Sequence, residues 1–203
     1  EPLNPTIART YAVALNYNVS VMLVAGEMDP RCAWVPNEPP IFVKKDKYLE
    51  VKVTNEQRGA APELGILRTK LMIRSDKYPS PLFVNFIEFA RLKDYVRLLQ
   101  DGYMDEELIT PMAIALNDVM PLPQGQKLMI LSRDGAKLAS ILAIALDIVE
   151  GAMEGSRPAP LEIARNLRIA RNGAFIRHGL VFGVFLALKM LLLRLKEPPP
   201  KIV

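Results

Sequence analysis

From Tyr11 to Val24 the chain reads YAVALNYNVSVMLV, with an apolar residue at every odd position and the polar Asn16, Asn18 and Ser20 on even ones. Successive side chains of an extended backbone point to opposite faces, so a repeat of two predicts a long half-buried strand here. YLEVKVT alternates again, with Leu49, Val51 and Val53 on one face, and LGILRTKLMIR does so with Leu67, Thr69, Leu71 and Ile73. Strands that follow one another without a helical interval predict an antiparallel sheet.

The period then changes. SPLFVNFIEFARLKDYVRLLQDG opens with Ser80 as an N-cap and Pro81 at the first helical position, and its apolar residues Leu82, Phe83, Phe86, Ile87 and Ala90 fall at helical spacing. Two further helix starts are predicted, at Asp105–Glu107, where the helix dipole favours anions, and at Thr110–Pro111. KLMIL reads as a short buried strand. Beyond it come a long helix ending near Gly155, a second from Leu161 to about Asn172, and a last one ended by Pro198, Pro199 and Pro200. The expected fold class is α+β: an N-terminal antiparallel sheet, residues 1–78, followed by a C-terminal helical bundle, residues 79–203, in one continuous unit.

Composition narrows the class. Half of the 203 residues are apolar and 24% are charged, which suits a folded core and not a disordered chain. A single cysteine, Cys32, excludes an intrachain disulfide. The net charge of +4 is unevenly spread: from Gly155 onward nine cations face two anions. A basic pole of this kind attracts polyanions or acidic partners.

Within that pole Arg165, Arg168 and Arg171 recur every third residue and form a ridge, with Arg177 close behind. Planar guanidinium groups suit phosphate oxygens. With no aromatic residue among them, backbone contacts to DNA or RNA are the expected mode, and a solvated face paired with acids is the plain alternative. In the last helix the uncharged run Gly179–Leu188 falls short of the roughly 20 residues a membrane span needs. Gly179 and Gly183, four apart, permit close helix approach, and with Phe182 and Phe185 they form the expected contact with a neighbouring copy. The proline-rich ends are expected to be held by such contacts.

Chemistry is harder to find. His178 is the only histidine, so no site built on two histidines is available, and a structural role is expected for it. Asp101, Asp105, Glu106 and Glu107 form the densest carboxylate group, but helix ends account for them. The sequon Asn18-Val19-Ser20 falls inside the expected first strand. No phosphate-binding glycine loop, dinucleotide fingerprint or nucleophile elbow occurs. The residues therefore predict a structural subunit of a homopolymeric assembly, a capsid or filament, whose arginine face meets nucleic acid. The expected partners are copies of itself and a DNA or RNA backbone, with no enzymatic activity, no small-molecule substrate, no cofactor and no metal. A nucleic-acid-binding module without sequence preference and a membrane-associated protein using its last helix are the alternatives.

Overall fold

A computed structural model describes residues 5–26, 49–100, 106–133, 136–175 and 178–196. The chain is α+β and divides into two compact units. One comprises residues 1–90 and 122–133, the other 91–121 and 134–203.

The first unit holds a helix and a five-stranded sheet. Helix α1 (Pro5–Tyr17) precedes strands β1 (Val19–Ala25), β2 (Leu49–Ala61), β3 (Ile66–Ser75), β4 (Leu82–Phe89) and β5 (Lys127–Ser132), in the spatial order β2-β3-β4-β1-β5. β2 and β3 pair antiparallel as expected, and β3 pairs antiparallel with β4, whereas β1 pairs parallel with both β4 and β5, so the sheet is mixed.

Two elements depart from the sequence expectation. The stretch from Tyr11 splits into a helix and a strand because Ile7, Tyr11, Ala14 and Leu15 also follow the helical pattern i, i+4, i+7, i+8, and all four are buried. Their side pairs with Met22, Val24, Leu71, Ile73, Val84 and Phe86 in one apolar cluster. Asn18 separates the two elements at φ 55°, a left-handed conformation that asparagine tolerates, and its Nδ2 donates to the Gly125 carbonyl at 3.2 Å. All seven residues of β1 are buried, so its alternating polarity does not report its environment. The second departure is β4, which the Ser80–Pro81 start signal assigned to a helix. Its run LFVNFIEF is rich in β-branched and aromatic residues, and pairing with β1 and β3 decides the matter.

The second unit is helical: α2 (Leu92–Gln100), α3 (Glu106–Asn117), α4 (Ala139–Met153), α5 (Pro160–Ala170) and α6 (Gly179–Lys196). The two expected starts near Glu106 and Pro111 belong to one helix, α3, which carries Pro111 inside it. Thr110 Oγ1 donates to the Glu106 carbonyl at 2.7 Å on the turn that Pro111 disturbs. α6 packs against α3 and α4. Phe182, Gly183, Leu186, Ala187 and Met190 are its buried face. A Cβ on Gly183 would fall closer than 3.0 Å to Ile144 Cγ2 and 2.9 Å from the Ile141 carbonyl oxygen, so the glycine lets α6 approach α4 of its own chain. Arg194 fastens the other end, its Nε donating to Asn117 Oδ1 at 2.8 Å while Asn117 Nδ2 donates to the Met190 carbonyl at 3.0 Å.

Candidate anion-binding site

Among the described residues of the helical unit, two that are not glycine adopt positive φ, Phe175 at 67° and His178 at 62°, and both lie between α5 and α6. Such conformations cost on the order of 1–3 kcal/mol each and persist only where the surroundings enforce them. Ser140 supplies part of that enforcement. Its buried Oγ accepts from the Phe175 backbone N–H at 2.9 Å and donates to the Lys137 carbonyl at 2.9 Å, which pins the turn against the first residues of α4. His178 sets up the next helix, since its carbonyl accepts from the Phe182 N–H at 3.0 Å.

The start of α4 is electropositive for three reasons. A helix of 15 residues concentrates about half a positive charge at its N-terminus, and no acidic residue occupies the first turn to neutralise it. The N-cap Leu138 makes no side-chain bond to the first-turn amides. Lys137 stands exposed beside that end, and Arg168 places its guanidinium 5.9 Å from the ring centroid of Phe175 in the pinned turn. The Ser140 and Ile141 amides of the first turn are taken up by the Ala136 and Leu138 carbonyls at 3.0 and 3.1 Å, so the helix dipole and the nearby cations are what suit an oxyanion such as a phosphate group. Ser140 is committed in both directions by its two hydrogen bonds and serves as a brace.

The structure brings together only part of the expected site. Arg165 and Arg168 are exposed on α5, but the helix ends at Ala170, so Arg171 leaves the ridge as an exposed C-cap in extended conformation. Arg177 lies outside the described residues, as do Cys32, Asp101, Asp105, the basic run 44–47 and both proline-rich ends. Gly179, Phe182 and Gly183 are buried, and Phe185 is 39% exposed. Glu106 is ion-paired with Lys189. Among the described residues no group of three or more histidine, cysteine or acidic side chains is placed to hold a metal, and no helix is long and apolar enough to cross a membrane. Sequence reasoning missed Ser140 and Phe175. Asn172-Gly173, a turn dipeptide whose glycine sits at φ 82°, was the available signal for the bend.

No known family model matches the chain, and no curated protein matches it in sequence. Solved structures do. The Trypanosoma cruzi protein tyrosine phosphatase TcPTP1 is similar at a TM-score of 0.66 and 15% identity, with 95% of this chain and 66% of that one covered. PTPN18 in complexes with two HER2 phosphopeptides is similar at TM-scores of 0.70 and 0.69, with 15% and 16% identity, over 93% and 94% of this chain and 64% and 69% of those. The chain thus spans about two thirds of the length of these structures. The likeness gives the fold, and it corrects the functional expectation. These neighbours are tyrosine phosphatases, and PTPN18 is seen with phosphopeptides, so the capsid or filament subunit, the self-copy and nucleic-acid partners and the absence of enzymatic activity all lose their support.

Proposed function

We propose that this chain is a phosphotyrosine-directed domain of the tyrosine phosphatase type, which takes the phosphate of a modified peptide at the start of α4. The observation that carries the reading is the resemblance to tyrosine phosphatases across 93–95% of the chain. The positive end of α4, Lys137 and the braced turn at Phe175 support it physically, because a phosphate monoester brings close to two negative charges and three acceptor oxygens.

Hydrolysis of such an ester breaks the phosphorus–oxygen bond to the tyrosyl oxygen and needs a nucleophile in line with it. The Ser140 hydroxyl is taken up by its two hydrogen bonds, and the one thiol, Cys32, lies outside the described residues. Calorimetry with a phosphotyrosine peptide and its unphosphorylated twin tests the reading. The phosphopeptide alone should bind, inorganic phosphate should compete, and Lys137→Glu should weaken the complex. Phosphate release measured alongside reports whether hydrolysis follows binding. Equal affinity for the two peptides would sink the proposal.

A further inference from the structure

Helix α5 is the least covered helix of its unit. Ala164 is its one buried residue among those described, and Leu161 and Ile169 are 76% and 74% exposed. Leu161, Arg165, Arg168 and Ile169 stand at i, i+4, i+7 and i+8, which is the spacing of a single helix face. That pattern normally turns inward, yet here it points away from the unit and carries two arginines between two large apolar residues. Neither arginine is paired with a carboxylate among the described residues, although Glu162 stands at the edge of the face. Arg168 also connects the face to the candidate site, because its guanidinium lies against Phe175, whose N–H is held by Ser140.

From these features we infer that the exposed face of α5 is a docking track for an acidic, partly apolar peptide segment flanking the phosphorylated residue; the inference rests on the phosphotyrosine reading given above. Charge complementarity selects the partner: unpaired arginines attract carboxylates, while Leu161 and Ile169 offer apolar contact that a purely ionic ligand would leave wet. The length fits as well. Leu161 to Ile169 covers about 12 Å of helix axis, the reach of about four residues of extended peptide. The track would therefore set which phosphopeptides are preferred, and the start of α4 would hold the phosphate itself.

The test uses the whole chain and fluorescence anisotropy with four labelled probes, and a phosphopeptide with a lysine flank as a fifth for the charge-reversed variant. These are a phosphotyrosine peptide with a Glu/Leu-rich flank, the same phosphopeptide with a Ser/Ala flank, the acidic peptide without phosphate, and duplex DNA of matched charge. The acidic flank should tighten phosphopeptide binding roughly three- to tenfold, as two exposed charge pairs allow. Arg165→Glu should erase that gain without altering affinity for the Ser/Ala peptide, a lysine flank should restore it, and high salt should shrink it. Equal affinity for the two flanks, or an Arg165→Glu effect on both alike, would overturn the docking track. DNA competing for the same face as strongly as the acidic peptide would overturn it too. Loss of all phosphate dependence while the acidic peptide still binds in an Arg165-dependent way would leave the track standing and remove the phosphotyrosine reading; binding of neither peptide would remove both.

Discussion

Adding one methyl group at Gly183 measures how α6 is seated on α4. The new Cβ would fall within 3.0 Å of Ile144 Cγ2 and 2.9 Å from the Ile141 carbonyl oxygen. Ile144 is fully buried and β-branched, so it has little freedom to turn aside, and the carbonyl belongs to the backbone of α4. Overpacking of this kind costs about 1–3 kcal/mol. Replacing a mid-helix glycine by alanine returns up to about 1 kcal/mol of helix propensity. The strain term is the larger, so Gly183→Ala should destabilise by roughly 1–2 kcal/mol, which in a chain of this size lowers Tm by about 2–4 °C for each kcal/mol. Urea unfolding followed by far-ultraviolet circular dichroism reads the shift. A double-mutant cycle sharpens it: Ile144→Ala alone should cost about 2–5 kcal/mol by leaving a cavity. Combined with Gly183→Ala it should cost less than the sum by about 1 kcal/mol, because each change relieves the other. A neutral or stabilising Gly183→Ala, or strict additivity with Ile144→Ala, would refute the close approach.

Ser140→Ala leaves the Phe175 amide without its partner and should cost about 1–3 kcal/mol while weakening phosphopeptide binding, measured by thermal melts and calorimetry on the same samples. Tyr11→Ala, at a fully buried position of α1, should cost about 3–5 kcal/mol in urea unfolding. The hydrogen bond from Lys189, then its charge, holds the Glu106 carboxyl below its usual range. A depressed folded pKa adds stability above the unfolded value and loses it as pH falls through the folded one, so Glu106→Gln should flatten the acid side of a Tm-against-pH curve. Asp147 is shifted the other way, by desolvation first and by Glu150 second. Its ionised form is disfavoured in the native state, and Asp147→Asn should raise Tm at neutral pH and leave it unchanged well below the carboxylate range.

The helices α4 and α6 were legible because long apolar runs end at breakers, Gly155 after the one and Pro198 to Pro200 after the other. The first helix was not. Tyr11 and Leu15 satisfy a period of two and a helical face alike, and the choice falls to tertiary contacts with Met22 and Phe86 that no local window contains. β4 failed for the related reason that Ser80 and Pro81 imitate a helix start, while its place beside β1 depends on a strand some sixty residues earlier. Parallel pairing was illegible for the same cause: β1, β4 and β5 are joined by long connections, and their register appears only in the assembled sheet.

Charge carried further than motifs, and its limit is instructive. The cation excess after Gly155 would favour an anionic ligand, yet a polyanion and a single phosphate ester ask for different geometries. A polyanion is held by cations spread along its length, each releasing a counterion. Here the expected ridge loses its third member where α5 ends at Ala170, and Arg168 turns toward a turn braced on the N-terminus of α4. The dipole of α4 and the exposed Lys137 beside its first turn are the features on which the single-phosphate proposal rests. Ser140 and Phe175, thirty-five residues apart, meet only once the helices of this unit have packed. Composition therefore shows where positive charge is in excess, but how that charge is arranged is set by contacts that exist only in the folded chain.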